Sequence, residues 1–231
     1  MDRTQEGIAV AKDAKDELGR IIEAALALAA RRGWKAVALR DVAAEAGLPL
    51  STVHRRTPSR EAILEALIAR VDQTVLAGPK PDQAGGARDR LFEVLMRRLD
   101  ALAPHKAGVR AIVHDLAANP LAALRFAPRL AGSMAWMLEA AGVDSGGWRG
   151  RLRAGGLAIV YLATVRVWLG DESADGSKTM ATLDQALRRG ERGFRICEEM
   201  AEKLRPRAPS RAEPKRGKRT RVRSRKSRKA N

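Results

Sequence analysis

"LRDVAAEAGLPLSTVHRRTPSRE", Leu39 to Glu61, holds two short helical segments separated by one break and closed by another. Leu39–Ala46 has the length and composition of a helix, Gly47-Leu48-Pro49 breaks it, Leu50–Arg56 is helical again, and Thr57-Pro58-Ser59 stops the chain a second time. Two such helices joined by a Gly-containing turn have the geometry of a helix-turn-helix, whose second helix enters the major groove of a duplex. Ala43, Ala44 and Ala46 keep the first helix thin enough for a close crossing, and Val42 and Val53 are expected to face Leu26 and Leu64 in a small shared core. Ser51, Thr52, His54, Arg55 and Arg56 are expected to project away from that core. Hydroxyls and guanidinium groups are the donors that phosphates and base edges require, and an acid there would repel a duplex; none occurs between Gly47 and Arg60. A merely solvated Arg-rich face accounts for the same composition.

Outward from this stretch nearly every segment reads as helix. Leu18, Ile21, Ile22, Ala25, Leu28 and Ala29 share one helical face upstream, and Gly33 ends that helix after Arg31 and Arg32, which suit a helix C-terminus. Downstream, Ser59 is placed as the N-cap of a helix with Leu64, Leu67, Ile68, Val71 and Val75 along its buried stripe. "AGPKPDQAGGA" (Ala77–Ala87) lacks apolar periodicity and marks a boundary. Further helices are expected at Arg88–Ala103, Lys106–Ala118, Leu121–Ala141 with an irregularity near Pro128, Gly147–Leu169 and Ser177–Leu204. Strand signals are absent, with only eight aromatic residues and no alternating run. The resulting organisation is all-α: a flexible arm over 1–12, a helix-turn-helix domain over 13–76, a linker over 77–87, a second helical domain over 88–204, and a disordered basic tail over 205–231.

The net charge of +17 divides unevenly along the chain. Lys203 to Asn231 holds 14 basic residues and one acid, or +13, whereas Met1 to Glu202 holds 30 basic and 26 acidic residues, or +4. The tail "PKRGKRTRVRSRKSRKAN" suits nucleic-acid phosphates, without reading sequence, or an anionic membrane surface; a solubilising role explains it as well. Neither a signal peptide nor a transit sequence is indicated at the N-terminus, and the longest uncharged apolar run, Ala154–Val165, is short of the roughly 18 residues of a bilayer span, so a cytoplasmic location is expected. The single Cys197 excludes an internal disulfide framework.

From Ile21 to Leu67 the sequence resembles the N-terminal DNA-binding domain of the TetR/AcrR family of bacterial repressors, in the aromatic Trp34 after Gly33, in "RDVAAEAG", and in "PSRE" opening the fourth helix. The resemblance implies a TetR-like fold, with a three-helix helix-turn-helix domain followed by a helical ligand-binding and dimerisation domain. It further implies a homodimer that binds a palindromic operator on double-stranded DNA and releases it when a small molecule enters the C-terminal domain. Thr52 matches the family's usual threonine, His54 its phosphate-binding tyrosine, and Arg60 its basic residue at the start of the fourth helix; Arg40 and Arg60 are the expected phosphate clamps. Ala38 and Pro49 stand where the family has hydroxyl caps, Leu50 where lysine is common, and Thr57 where a phenylalanine packs. Each missing cap costs about 1 kcal/mol.

In the second domain Leu95, Leu99, Ile112, Leu116, Phe126, Leu130, Met134 and Met137 fall mostly at helical spacing, as core or, for a minority, as the lining of an apolar cavity. Few charges are expected to be buried there, so the effector should be small and apolar. Gly155, Ile159, Leu162 and Trp168 on one helix, with Leu183, Leu187 and Phe194 on the next, are candidates for a four-helix interface with a second copy, although packing within one chain explains them nearly as well. Tyr161–Arg192 resembles the C-terminal region of the COQ9 family, lipid-binding proteins of ubiquinone biosynthesis, in "VWL" followed by Asp171, Ser173, Thr182 and "LD". That resemblance implies an isoprenoid or other long apolar ligand and supplies the alternative function, an accessory lipid-binding protein that does not read DNA. No enzyme chemistry is expected: His54, His105 and His114 lack partners at metal-ligand spacing, "GGWRGRLRAGG" follows no strand, and no cofactor or metal is indicated.

Overall fold

The computed structural model describes the backbone of residues 3–203 and the side chains of residues 16–193, in both cases without residue 174. Among the described residues the chain forms nine α-helices and no strand: α1 (Arg3–Arg32), α2 (Leu39–Ala46), α3 (Leu50–Arg56), α4 (Arg60–Leu76), α5 (Ala87–Leu102), α6 (Lys106–Ala117), α7 (Pro120–Ala140), α8 (Gly147–Gly170) and α9 (Ser177–Lys203). Trp34–Ala36 and Ala103–His105 are single 3-10 turns. The expected helix bounds agree to within a residue at most ends, because stops such as Gly33 (φ 80°) and the Ser59 cap act over one turn. Ser59 Oγ accepts the Ala62 N–H at 3.1 Å. Two differences stand out. α1 starts at Arg3, where an arm was expected over 1–12, since no proline interrupts that stretch; and α7 runs unbroken through Pro128, whose missing N–H falls on an exposed side of the helix with Leu124. The basic tail and its expected disorder lie outside the described residues.

α1 packs against α2, α4 and α6, α4 against α5 and α7, and α8 against α7 and α9, around one core running from Ile21 to Leu187. The α1–α6 crossing is close because Gly108 has no side chain: a Cβ there would stand 2.6 Å from the Leu26 carbonyl oxygen. One end of α6 also ties the two halves of the chain together, as the Asp115 carboxylate accepts the Lys35 backbone N–H, a bond that holds its pKa below the ordinary value. α8 is long and apolar enough to cross a membrane by length and composition, but its Leu157, Tyr161, Val165 and Trp168 are buried in the core of the protein.

Several second-domain assignments change once helix faces are visible. Trp168, Leu183 and Leu187 are buried within their own chain, so they do not offer an interface to a second copy; a 3.6-residue period turns them toward α5, α7 and the α8–α9 contact. Ile159 (72% exposed) and Leu162 (49%) do face outward, Gly155 is half-buried, and the Phe194 side chain lies outside the described residues. Leu95, Leu99, Ile112, Leu130, Met134 and Met137 are buried, with Leu116 and Phe126 half-buried. They do not surround a purely apolar interior. Arg98 of α5 is 2% exposed and donates from Nη1 to the Asp72 carboxylate of α4. Ser133 Oγ of α7 donates to the same Asp72 oxygen at 2.7 Å, and the guanidinium lies 5.2 Å from the Tyr161 ring centroid of α8. A buried charge pair therefore sits where few charges were expected.

The α8–α9 turn is held by Asp171. Its carboxylate accepts the Thr179 N–H at 2.9 Å, the Thr179 hydroxyl at 2.6 Å, the Ser173 N–H at 3.1 Å and the Ser173 hydroxyl. Lys106 Nζ donates to the Asp171 carbonyl at 2.7 Å while lying over the Trp168 ring, which pins α6 to the same turn. The Ser173 and Thr179 hydroxyls hold the Asp171 carboxyl well below the usual carboxylate range. A group depressed in this way stabilises the fold fully above its unfolded pKa of about 4, and the contribution fades as pH falls below that value. The stability lost in Asp171→Asn, read by urea denaturation, is expected to be constant from neutral pH to about pH 5 and to shrink below about pH 4.

Candidate nucleic-acid interface

The α2–α3 pair is closed by backbone geometry. Gly47 adopts φ 60°, ψ 39°, the left-handed conformation that costs a glycine little. Its N–H donates to Ala44 O and the Leu48 N–H to Ala43 O, the paired bonds of a Schellman stop. Arg20 of α1 donates from Nη2 to the Ala46 and Gly47 carbonyls, satisfying acceptors that the helix end leaves free. At the start of α3 no side chain caps: Pro49 offers no side-chain bond, nor does Ala38 at the start of α2, as the missing hydroxyls imply. Thr57 is 1% exposed and donates its hydroxyl to Val53 O at 3.2 Å. Val42 and Val53 are fully buried in the same core as Leu26 and Leu64.

The outward face of α3 carries Leu50 (53% exposed), Ser51, His54 and Arg55. Thr52 departs from expectation: it is 7% exposed because it follows the inward side of the helix beside Val53, and its Oγ1 lies 3.4 Å from Arg55 Nη2, which donates to it. Arg56 also faces α1, donating to Glu17 at 2.8 Å; Arg55 stands 3.8 Å from the same carboxylate with a side chain 60% exposed. Arg60 donates from Nη1 to Trp34 O (3.2 Å) and Lys35 O (2.9 Å), fixing the turn after α1. Arg40 on α2 is the more open cation, 81% exposed and 3.7 Å from its neighbour Asp41. The sequence-predicted set thus divides. Arg40, Ser51, His54 and Arg55 are presented to solvent, while Thr52, Arg56 and Arg60 are engaged in holding the motif. Arg20, which ties the α2–α3 turn to α1, and Glu17, which ties α3 to α1, were missed, since contacts spanning 26 to 39 residues leave no local pattern.

No group of three or more metal-ligating side chains occurs among the described residues. Residues 21–67 match the family model described as bacterial regulatory proteins, tetR family. Among solved structures, a TetR transcriptional regulator from Nitrosomonas europaea superposes with a TM-score of 0.60 at 25% identity, covering 75% of this chain and 97% of its own. One from Rhodococcus sp. RHA1 gives 0.51 at 20% identity over 76% and 95%, and one from Streptomyces coelicolor 0.50 at 19% over 80% and 88%. Among curated proteins nothing matches the sequence. The COQ9 resemblance gains no counterpart in these similarities.

Proposed function

Because the chain carries the DNA-binding domain of the tetR family over residues 21–67, on a TetR-family fold, we propose that it is a ligand-responsive repressor that binds a palindromic operator as a homodimer. The observation that carries this reading is the α3 face, where Ser51, His54 and Arg55 stand together, exposed, with no acid on the helix. Arg55 supplies the fork that pairs bidentately with guanine, Ser51 and His54 reach base edges or phosphates, and Arg40 meets the backbone from α2. Thr52, Arg56 and Arg60 act one step back, by holding Arg55 and the α1–α4 frame. Exposed Trp148, Leu152, Ile159 and Leu162 form an apolar stripe at helical spacing along α8, and a second copy of the chain is the partner that buries it. Two copies related by a dyad present two α3 helices to successive major grooves, which is the origin of the palindrome. A small, largely apolar effector enters the second domain, and the cationic tail adds affinity that falls with salt.

Selection of genomic fragments by the full-length protein, in excess non-specific competitor DNA, is expected to converge on one short palindrome. Arg55→Ala should reduce affinity for it about 10- to 100-fold, the worth of one bidentate base contact. Recovery of fragments sharing no sequence would defeat the reading.

A further inference from the structure

Leu50 opens α3, stands 53% exposed, and lies on the same outward side as Ser51, His54 and Arg55. Its apolar neighbours behave otherwise: Leu48 packs against the core and Val53 is fully buried. Leu50 and His54, like Ser51 and Arg55, stand one turn apart, so the two pairs form adjacent rows on one face. A reading helix meets base edges with its N-terminal residues, and Leu50 is the first residue of α3. Its side chain brings neither donor nor acceptor to a position where a hydroxyl, an amide or a cation would bond a base or a phosphate.

What a duplex offers such a side chain is narrow. Along the major groove guanine, cytosine and adenine present hydrogen-bonding groups, and thymine alone adds a C5-methyl. Pressed against the polar edges, Leu50 would strip water from them and return no bond; against the methyl, both partners bury apolar area. We propose that Leu50 is a specificity-determining residue, selecting thymine in each operator half-site through the C5-methyl group. This rests on the operator-binding reading above and adds to it a contact made without hydrogen bonds. The dyad repeats that contact, so each operator carries two such thymines.

The test is selection from a random-sequence duplex library in excess non-specific competitor DNA, run in parallel with the full-length protein and its Leu50→Ala variant. The unaltered protein is expected to require thymine at one position of each half-site, and Leu50→Ala to lose the requirement there alone. On the duplex that the unaltered protein selects, deoxyuridine then replaces that thymine in both half-sites, which removes two methyl groups and leaves every hydrogen-bonding group in place. Affinity should fall about tenfold or more, the combined worth of two buried methyl groups. Leu50→Ala should distinguish the two duplexes by less than about twofold, whereas Leu50→Met, which keeps an apolar side chain of similar reach, should retain most of the difference. An equal loss in Leu50→Ala would overturn the assignment, since the methyl would then be felt by another side chain or through the shape of the duplex. A palindrome without a required thymine overturns it as well, as does tolerance of deoxyuridine by the unaltered protein, and the operator reading survives each of these results. Selection of no shared sequence overturns both.

Discussion

Arg98→Ala is expected to destabilise the protein by about 3–5 kcal/mol, because it leaves the Asp72 carboxylate buried with Ser133 alone to solvate it. The size follows from removing one partner of a buried pair, since burial penalises a lone charge far more than a matched pair. It also predicts a pattern across variants. Asp72→Ala combined with Arg98→Met removes both charges and keeps apolar volume, so the double variant should recover most of the loss, and the two sites should be strongly non-additive. Urea denaturation of the wild type, Asp72→Ala, Arg98→Met and the double variant at neutral pH gives the coupling directly; additive losses would show that the pair does not act as a unit.

Gly108→Ala should destabilise by about 1–3 kcal/mol, although the same change in an open helix stabilises by about 0.5–1 kcal/mol. The reversal comes from the α1–α6 crossing, where the new Cβ would meet the backbone oxygen, carbon and Cα of Leu26, none of which can rotate away. Relief requires the helices to separate, and they carry the contact between the first four helices and α6. Gly132→Ala, at an exposed position of α7 with nothing within 4 Å of its added Cβ, is the internal reference and should raise the melting temperature slightly. A stabilised Gly108→Ala would mean that the crossing is looser than the structure places it.

The helix-turn-helix was legible because its determinants are close together. Gly47 sets the left-handed stop, Ser59 caps α4, and the Val42/Val53 spacing fixes which side turns inward. Thr52 was misplaced for a physical reason: on a helix of only seven residues, a one-position shift in the buried arc moves a small side chain from open to covered. α8 shows the same limit on a larger scale. It is apolar on two sides, so periodicity alone does not say which stripe meets α7 and α9; Trp168 went inward, and Trp148, Leu152 and Ile159 stayed outward.

What the chain's local chemistry determined by itself is the list of helices, their ends and the all-helical class, because stops, caps and apolar periods act within one or two turns. Only tertiary packing decided which stripes are covered, that Arg98 meets Asp72 across 26 residues, and that Arg56 and Arg60 brace the motif while the Arg55 side chain, beside Thr52 and Glu17, stays 60% exposed. Those outcomes depend on the approach of helices distant in sequence, where a charged side chain's partner is set by geometry that no neighbouring residue records.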